Sequence, residues 1–373
     1  MRELELYAGA VKDRDPRQRN YRLTGVMLFC SACALLAVRT GLNLLYSAVP
    51  MSDITVDVIF TLVLQILFLL VMPVLFYVFA FKKKSAKEVL QFSNFRKTRW
   101  YNYVLAAALG VFALFVTMGI STLWQIIISL FGYTHSQSDE TYPAAFFILS
   151  IFLTGILPGF CEEFTMRGGF LTTLRDSFGL GNTLVIAGVA FGLFHQNITQ
   201  VCYTALFGAF MAFVVVKTGS IFPAMIIHFM NNSVSVYLDY ASTYGWWGGG
   251  FYERLDVQIQ TSFGAVFGIY LAVCACFAGL AVLLWHLNSH EKLRKKKEFI
   301  QDAGFDVTHG RVVPVGNENP ALVSELELDN EVYGRKLVKN LFKPALADNV
   351  FYIGAAAVAG ASTLFSFIWG WII

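Results

Sequence analysis

The chain has 373 residues, of which 56% are apolar and 14% charged, with a net charge of +3. An ordinary soluble domain carries about 25% charged residues, so this composition excludes a disordered chain, argues against a soluble globular protein and leads us to expect a membrane protein. Six cysteines, Cys30, Cys33, Cys161, Cys202, Cys274 and Cys276, lie in or beside apolar runs and form no CxxC…CxxC set; they read as small buried hydrophobes rather than as a disulfide or thiolate-metal framework.

Residues 1–23 are polar and carry Arg2, Lys12, Arg14, Arg17, Arg19 and Arg22. No short apolar core with a small-residue cleavage site follows them, so they read as a cytoplasmic segment and not a signal peptide. Apolar runs long enough to be membrane helices then occur near 24–46, 54–81, 101–131, 144–160, 182–197, 198–216, 220–240 and 262–287, with a further one at 349–373. The expectation is an all-α, polytopic membrane helix bundle. Its core, 24–288, has about eight transmembrane helices, with 182–197 and 198–216 close enough to form a re-entrant hairpin instead. A separate C-terminal transmembrane helix, 349–373, contains Gly354, Ala355, Ala356, Ala359 and Gly360, small residues that permit close helix packing. Residues 289–348 between them carry Pro314 and Pro320, a basic start and an acidic patch at Glu325–Glu331. They read as a cytoplasmic linker or appendage with little helical periodicity.

Loop charge predicts the orientation. The loop after the second span holds Lys82, Lys83, Lys84, Lys87, Arg96, Lys97 and Arg99; Arg167 and Arg175 follow the fourth span, Lys217 the sixth and Lys292–Lys297 the eighth. The alternate loops, 47–53, 132–143 and 241–261, hold a single basic residue, Arg254. The pattern implies an integral membrane protein of the cell membrane with a cytoplasmic N-terminus, surrounded by lipid; no nucleic acid is expected as a partner.

Ionisable groups inside a bilayer are costly and mark function. Glu162, Glu163 and Arg167 stand in GFCEEFTMRGGF, His195 ends FGLFHQN, and His228 and Asn232 lie in PAMIIHFMNNSVSV. Glu163 and Arg167 are four apart and share a helix face, where they can pair, while Glu162 is offset by about 100°. His228 and Asn232 share a face in the same way, as do Phe191 and His195. A carboxylate with two imidazoles is enough to hold and deprotonate a water, with or without a metal, and an Asn supplies an N–H for a developing oxyanion. Alone, each motif reads as a charged flank or a helix-packing hydrogen bond; three in order within 71 residues read as a site. Arg39 reads as a residue snorkelling to the outer end of the first span, and Cys161 as packing.

At these residues the sequence resembles the CAAX protease and bacteriocin-processing family of intramembrane proteases. EEFTMR matches its EExxxR pattern, FGLFH its FxxxH and HFMNN its HxxxN, in order and about 30 residues apart. The resemblance covers roughly residues 101–240. It implies a cavity opening toward the cytoplasm and hydrolysis of a peptide bond in a membrane-associated protein or peptide. It also implies Glu162 as general base, Glu163 paired with Arg167, His195 and His228 holding the water or a metal, and Asn232 as oxyanion donor. A catalytic divalent ion such as zinc would be held by Glu162, His195 and His228, and a glutamate-activated water alone is the other form of the chemistry. Two alternatives are a non-catalytic scaffold or bacteriocin-immunity protein of the same fold, and a proton-coupled transporter, which the absence of an inverted repeat weakens.

Overall fold

In the computed structural model, which describes residues 16–49, 52–134, 142–261, 263–302, 305–308, 311–314 and 344–372, each of the nine apolar runs forms a helix. With two more helices between the runs, α3 and α9, the order along the chain is α1 (Pro16–Ala48), α2 (53–80), the short α3 (Ala86–Phe92), α4 (Trp100–Ser129), α5 (Ala144–Ser177), α6 (Leu180–Phe194), α7 (Ile198–Thr218), α8 (Phe222–Tyr244), α9 (Gly249–Thr261), α10 (Phe263–Asp302) and α11 (Val350–Ile372). Seven of the nine helices formed by the apolar runs are long and apolar enough to cross a bilayer. The other two of the nine, α6 and α8, lie among them. α6 has 15 residues and rises only about 22 Å, and α8 carries the intramembrane polar residues. The molecule is a polytopic helical bundle.

One end of the bundle gathers the basic loops. Arg19 Nη2 donates to the Ala80 carbonyl at 2.6 Å, which joins the start of α1 to the end of α2. Thr98 Oγ1 bonds the Thr218 carbonyl, and Asn102 and Asn288 exchange amide hydrogen bonds at 3.0 and 2.9 Å between α4 and α10. The described helix ends that carry the expected cytoplasmic loops therefore meet at one face, called here the basic face; Arg167, counted with those loops from the sequence, lies inside α5 instead. Arg2, Lys12 and Arg14 and the acidic patch at 325–331 lie outside the described residues.

The segment after residue 288 differs from its expectation. α10 continues to Asp302, and a two-stranded antiparallel hairpin follows, β1 (Phe305–Thr308) with β2 (Arg311–Pro314). The run SHEKLRKKKEFIQD is rich in Lys and Glu and has no Gly or Pro, so intrinsic propensity carries the helix beyond the apolar stretch. Residues 315–343 lie outside the description.

The last helix, separate in sequence, packs on the first. Gly25 leaves room for the Tyr352 ring and Gly354 for Phe29; an added Cβ would stand 2.9 and 3.0 Å from them. The Tyr352 hydroxyl donates to the Tyr21 carbonyl at 3.0 Å. Just before α11, the buried Asp348 accepts from Arg22, from Gln18 Nε2 and from the Ala345 N–H. Burial opposes ionisation of Asp348, but the Ala345 N–H, Arg22 and Gln18 outweigh it and hold the carboxyl below its ordinary range. A carboxyl with a depressed folded pKa contributes stability above its unfolded value, near 3.9, and loses it as pH falls through the folded value. Acidification below about pH 4 should therefore loosen α11. Hydrogen exchange over 350–358 should rise there, and Asp348→Asn should raise it already at neutral pH.

α6 and α7 approach closely through Gly188 and Gly192, one turn apart on α6. A Cβ on either would lie 2.5 Å from a backbone carbonyl of α7, Ala205 or Val201. Small residues at this spacing let two helices meet at backbone distance. Gly192→Leu should cost at least about 1–3 kcal/mol by forcing them apart. Thermal unfolding in detergent measures this, and an unchanged midpoint would contradict the packing.

Candidate active site

α5 presents two adjacent carboxylates in different directions. Glu163 and Arg167, four apart, are paired at 3.2 Å with side chains 0% and 1% exposed, which rules out an interfacial flank. Arg167 Nη2 donates to the Gly208 carbonyl of α7 at 3.1 Å, and its guanidinium lies 4.3 Å from the Phe191 ring centroid on α6. The pair thus pins three helices together. Cys161 is buried, as expected of packing.

Glu162 turns instead toward α2. Its Oε1 accepts from Gln65 Nε2 at 2.8 Å, while Oε2 is buried without a hydrogen-bond partner. That oxygen is 4.0 Å from His228 Nε2. His228 Nδ1 lies 2.9 Å from Glu163 Oε1. A carboxylate paired with Arg accepts, so Nδ1 donates to Glu163 and Nε2 is the ring nitrogen that faces Glu162. His195 is fixed in the same tautomer, because Nδ1 lies 2.8 Å from the Phe191 carbonyl, which can only accept. The rings of His195 and His228 both pack edge-on against Phe191, at centroid separations of 4.9 and 6.0 Å.

Two backbone carbonyls four residues before a proline accept side-chain hydrogen bonds at this site. Pro73 has no N–H for the Leu69 carbonyl four residues back, and that carbonyl accepts from Thr165 Oγ1 at 2.6 Å. Pro158 likewise has none for Thr154, whose carbonyl accepts from Asn232 Nδ2 at 2.9 Å. Asn232 Oδ1 accepts from Asn231. The backbone is wound one residue wider than an α-helix over Val63–Val71 and Phe164–Phe170, the turns that carry Gln65 and Arg167, and Gly168 breaks the second with φ −76°, ψ −116°. Such wide turns recur at functional sites. At the end of α6, Gln196 adopts a left-handed φ of 49° although it is not glycine. Its Nε2 donates to the Ala32 carbonyl and its own carbonyl accepts from Arg39 Nη1 at 3.0 Å, contacts that hold the strained turn beside His195.

A cavity of about 430 Å³ begins at Glu162, Leu69 and Met166 and runs past Leu64 and His195 to Arg39 and Asp57. His228 and Asn232 stand behind its wall rather than among its lining residues. One expectation is corrected. Arg39 turns into this cavity and onto the Gln196 carbonyl instead of snorkelling, because the 195–197 turn supplies an acceptor at its depth. Asp57 and Asn197 line the cavity beside it. Gln65, the direct partner of Glu162, was not singled out from sequence, although it is the single polar residue in VLQILFLLV.

Two imidazole Nε2 atoms and an unpartnered carboxylate oxygen suit zinc chemically. Geometrically, among the described residues no group of three or more His, Cys, Asp or Glu side chains is placed to hold an ion. Glu162, His195 and His228 do not form a metal centre in this arrangement.

Residues 144–234 match the family model described as Rce1-like, type II CAAX prenyl endopeptidase. No curated protein and no solved structure matches the chain. The Rce1-like stretch runs from the first turn of α5 into α8 and contains Glu162, Glu163, Arg167, His195, His228 and Asn232. It stops short of α1 and α2, which supply Arg39, Asp57 and Gln65.

Proposed function

We propose that the protein is an intramembrane endopeptidase in which Glu162 activates a water. The observation that carries this reading is the buried, unpartnered Glu162 Oε2 facing His228 Nε2, 4.0 Å away, a gap that one bridging water can span. Glu162 Oε2 and His228 Nε2 face each other across that gap, and His195 lines the same cavity as Glu162. The water passes one proton to Glu162 as its oxygen attacks the scissile carbonyl carbon, and an imidazole keeps hold of the other. Asn232 Nδ2 spends one N–H on Thr154 and has a second for the oxyanion that forms. The proton on Glu162 then goes to the leaving amide nitrogen, the C–N bond breaks, and the carboxylate is restored. Glu163 and Arg167 act through His228, fixing its tautomer.

The substrate is a membrane-associated peptide or protein, consistent with the match to an endopeptidase family and with a site at bilayer depth. Mass spectrometry of host membranes tests the function. Cells carrying the wild-type chain should contain new peptide termini that are missing from cells carrying Glu162→Ala at equal abundance. Identical termini in both would favour a scaffold of the same fold, which tolerates that change.

A further inference from the structure

Taking Glu162 as the base, we propose that Gln65 on α2 is a positioning residue for the hydrolysis: its amide fixes the orientation of the Glu162 carboxylate without giving it a counter-charge. The inference rests on the peptidase reading and adds a helix that the Rce1-like stretch does not reach.

The two adjacent carboxylates of α5 have opposite surroundings. Glu163 is paired with Arg167 at 3.2 Å and accepts from His228 Nδ1 at 2.9 Å, so its charge is met inside the protein. Glu162 has a neutral partner, Gln65 Nε2, 2.8 Å from its Oε1. A carboxylate accepts, which sets the amide with its nitrogen toward Glu162 and its oxygen away. A cation at position 65 would hold the carboxylate as firmly, but would compete with the proton that a base has to take. An amide restrains the group and leaves its charge available. With Oε1 bonded in this way, the unpartnered Oε2 is the oxygen left for a water.

Packing does not account for Gln65. It is the single polar residue in VLQILFLLV, it is 4% exposed, and its own Oε1 is buried without a hydrogen-bond partner. An unpaired buried amide oxygen costs stability, and an apolar side chain would hold α2 against α5 without that cost. A polar group at this depth, directed at one carboxylate, marks a site.

α2 is also held in register, so that the amide arrives beside Glu162. Two further bonds follow in the same order along both helices. Thr165 Oγ1 donates to the Leu69 carbonyl at 2.6 Å, and the Gly169 N–H donates to the Tyr77 hydroxyl at 2.9 Å. Positions 65, 69 and 77 of α2 thus meet 162, 165 and 169 of α5 in turn. Each contact involves a widely wound turn, Val63–Val71, Phe76–Ala80 or Phe164–Phe170. A slip of one residue would move the amide by about 1.5 Å and turn it by about 100°, away from Glu162.

Steady-state kinetics tests the role. Wild-type, Gln65→Met, Gln65→Glu and Glu162→Gln proteins are reconstituted in lipid vesicles and given a peptide whose cleavage in host membranes depends on Glu162. Met keeps the length of the side chain and loses the donor; Glu keeps the shape and puts a second acceptor in its place. Gln65→Met should lower kcat by about 10–10²-fold, the cost of a loosened catalytic group, with KM within about twofold and the unfolding midpoint near that of wild type. Gln65→Glu should be slower still, because a second carboxylate repels the first. A side chain that only fills space gives the opposite order, with the isosteric Glu ahead of Met. A Gln65→Met kcat within about threefold of wild type overturns the positioning role, as does a Gln65→Glu protein faster than Gln65→Met. So does a rise in KM at unchanged kcat, or a collapse of the midpoint in both variants. In each of these cases an inactive Glu162→Gln protein leaves the peptidase reading standing. Host membranes with no peptide terminus dependent on Glu162, or a Glu162→Gln protein as fast as wild type, overturn the peptidase reading, and the role of Gln65 with it.

Discussion

Arg167→Ala should lower the stability of the protein by about 3–5 kcal/mol, the cost of leaving a buried carboxylate without its counter-charge. Both partners are essentially without solvent contact, and Arg167 also carries the Gly208 carbonyl and the Phe191 ring. The loss is read from chemical or thermal unfolding in detergent. Glu163→Gln with Arg167→Met removes both charges and should recover part of the stability, because no ion is then left unpaired. Activity should not recover with it: His228 would lose the anionic acceptor that fixes its tautomer. Equal stability of Arg167→Ala and wild type would mean that the pair is hydrated and not buried.

Glu162→Gln should reduce turnover by about 10²–10⁴-fold, the range a positioned general base contributes, with little change in unfolding temperature. The substitution keeps size and can keep the bond to Gln65 by turning the amide, so structure is retained while the basic oxygen is lost. This separates it from Arg167→Ala, in which rate and stability fall together. A Glu162→Gln variant with more than about a tenth of wild-type activity would remove Glu162 from the chemistry.

Much of this arrangement was legible in the sequence. A bilayer demands long apolar runs, so all nine helices were visible, and the four-residue spacing of Glu163 and Arg167 was enough to foresee their pairing. The offset of Glu162 was likewise visible, but not its partner. In lipid, the packed face and the lipid face of a helix are equally apolar, so the surroundings of Gln65 in VLQILFLLV gave no sign of which neighbour it meets. The bonds of Thr165 and Asn232 to the Leu69 and Thr154 carbonyls needed the partner helices, which no local pattern names. The place of Arg39 depends on the turn at Gln196, whose left-handed backbone no residue type announces. The helix through 289–302 was hidden for a different reason: it forms by propensity and carries no apolar stripe.

The central claim is that Glu162 deprotonates a water in a buried site. Purified wild-type protein and Glu162→Gln, each reconstituted in lipid vesicles in metal-chelated buffer, are given a peptide substrate taken from the host-membrane comparison, and the products are weighed. The account predicts that the wild type yields two fragments whose masses sum to the substrate plus one water, while the variant leaves the peptide intact. Equal cleavage by both proteins, or cleavage by neither until a divalent ion is restored, would contradict it.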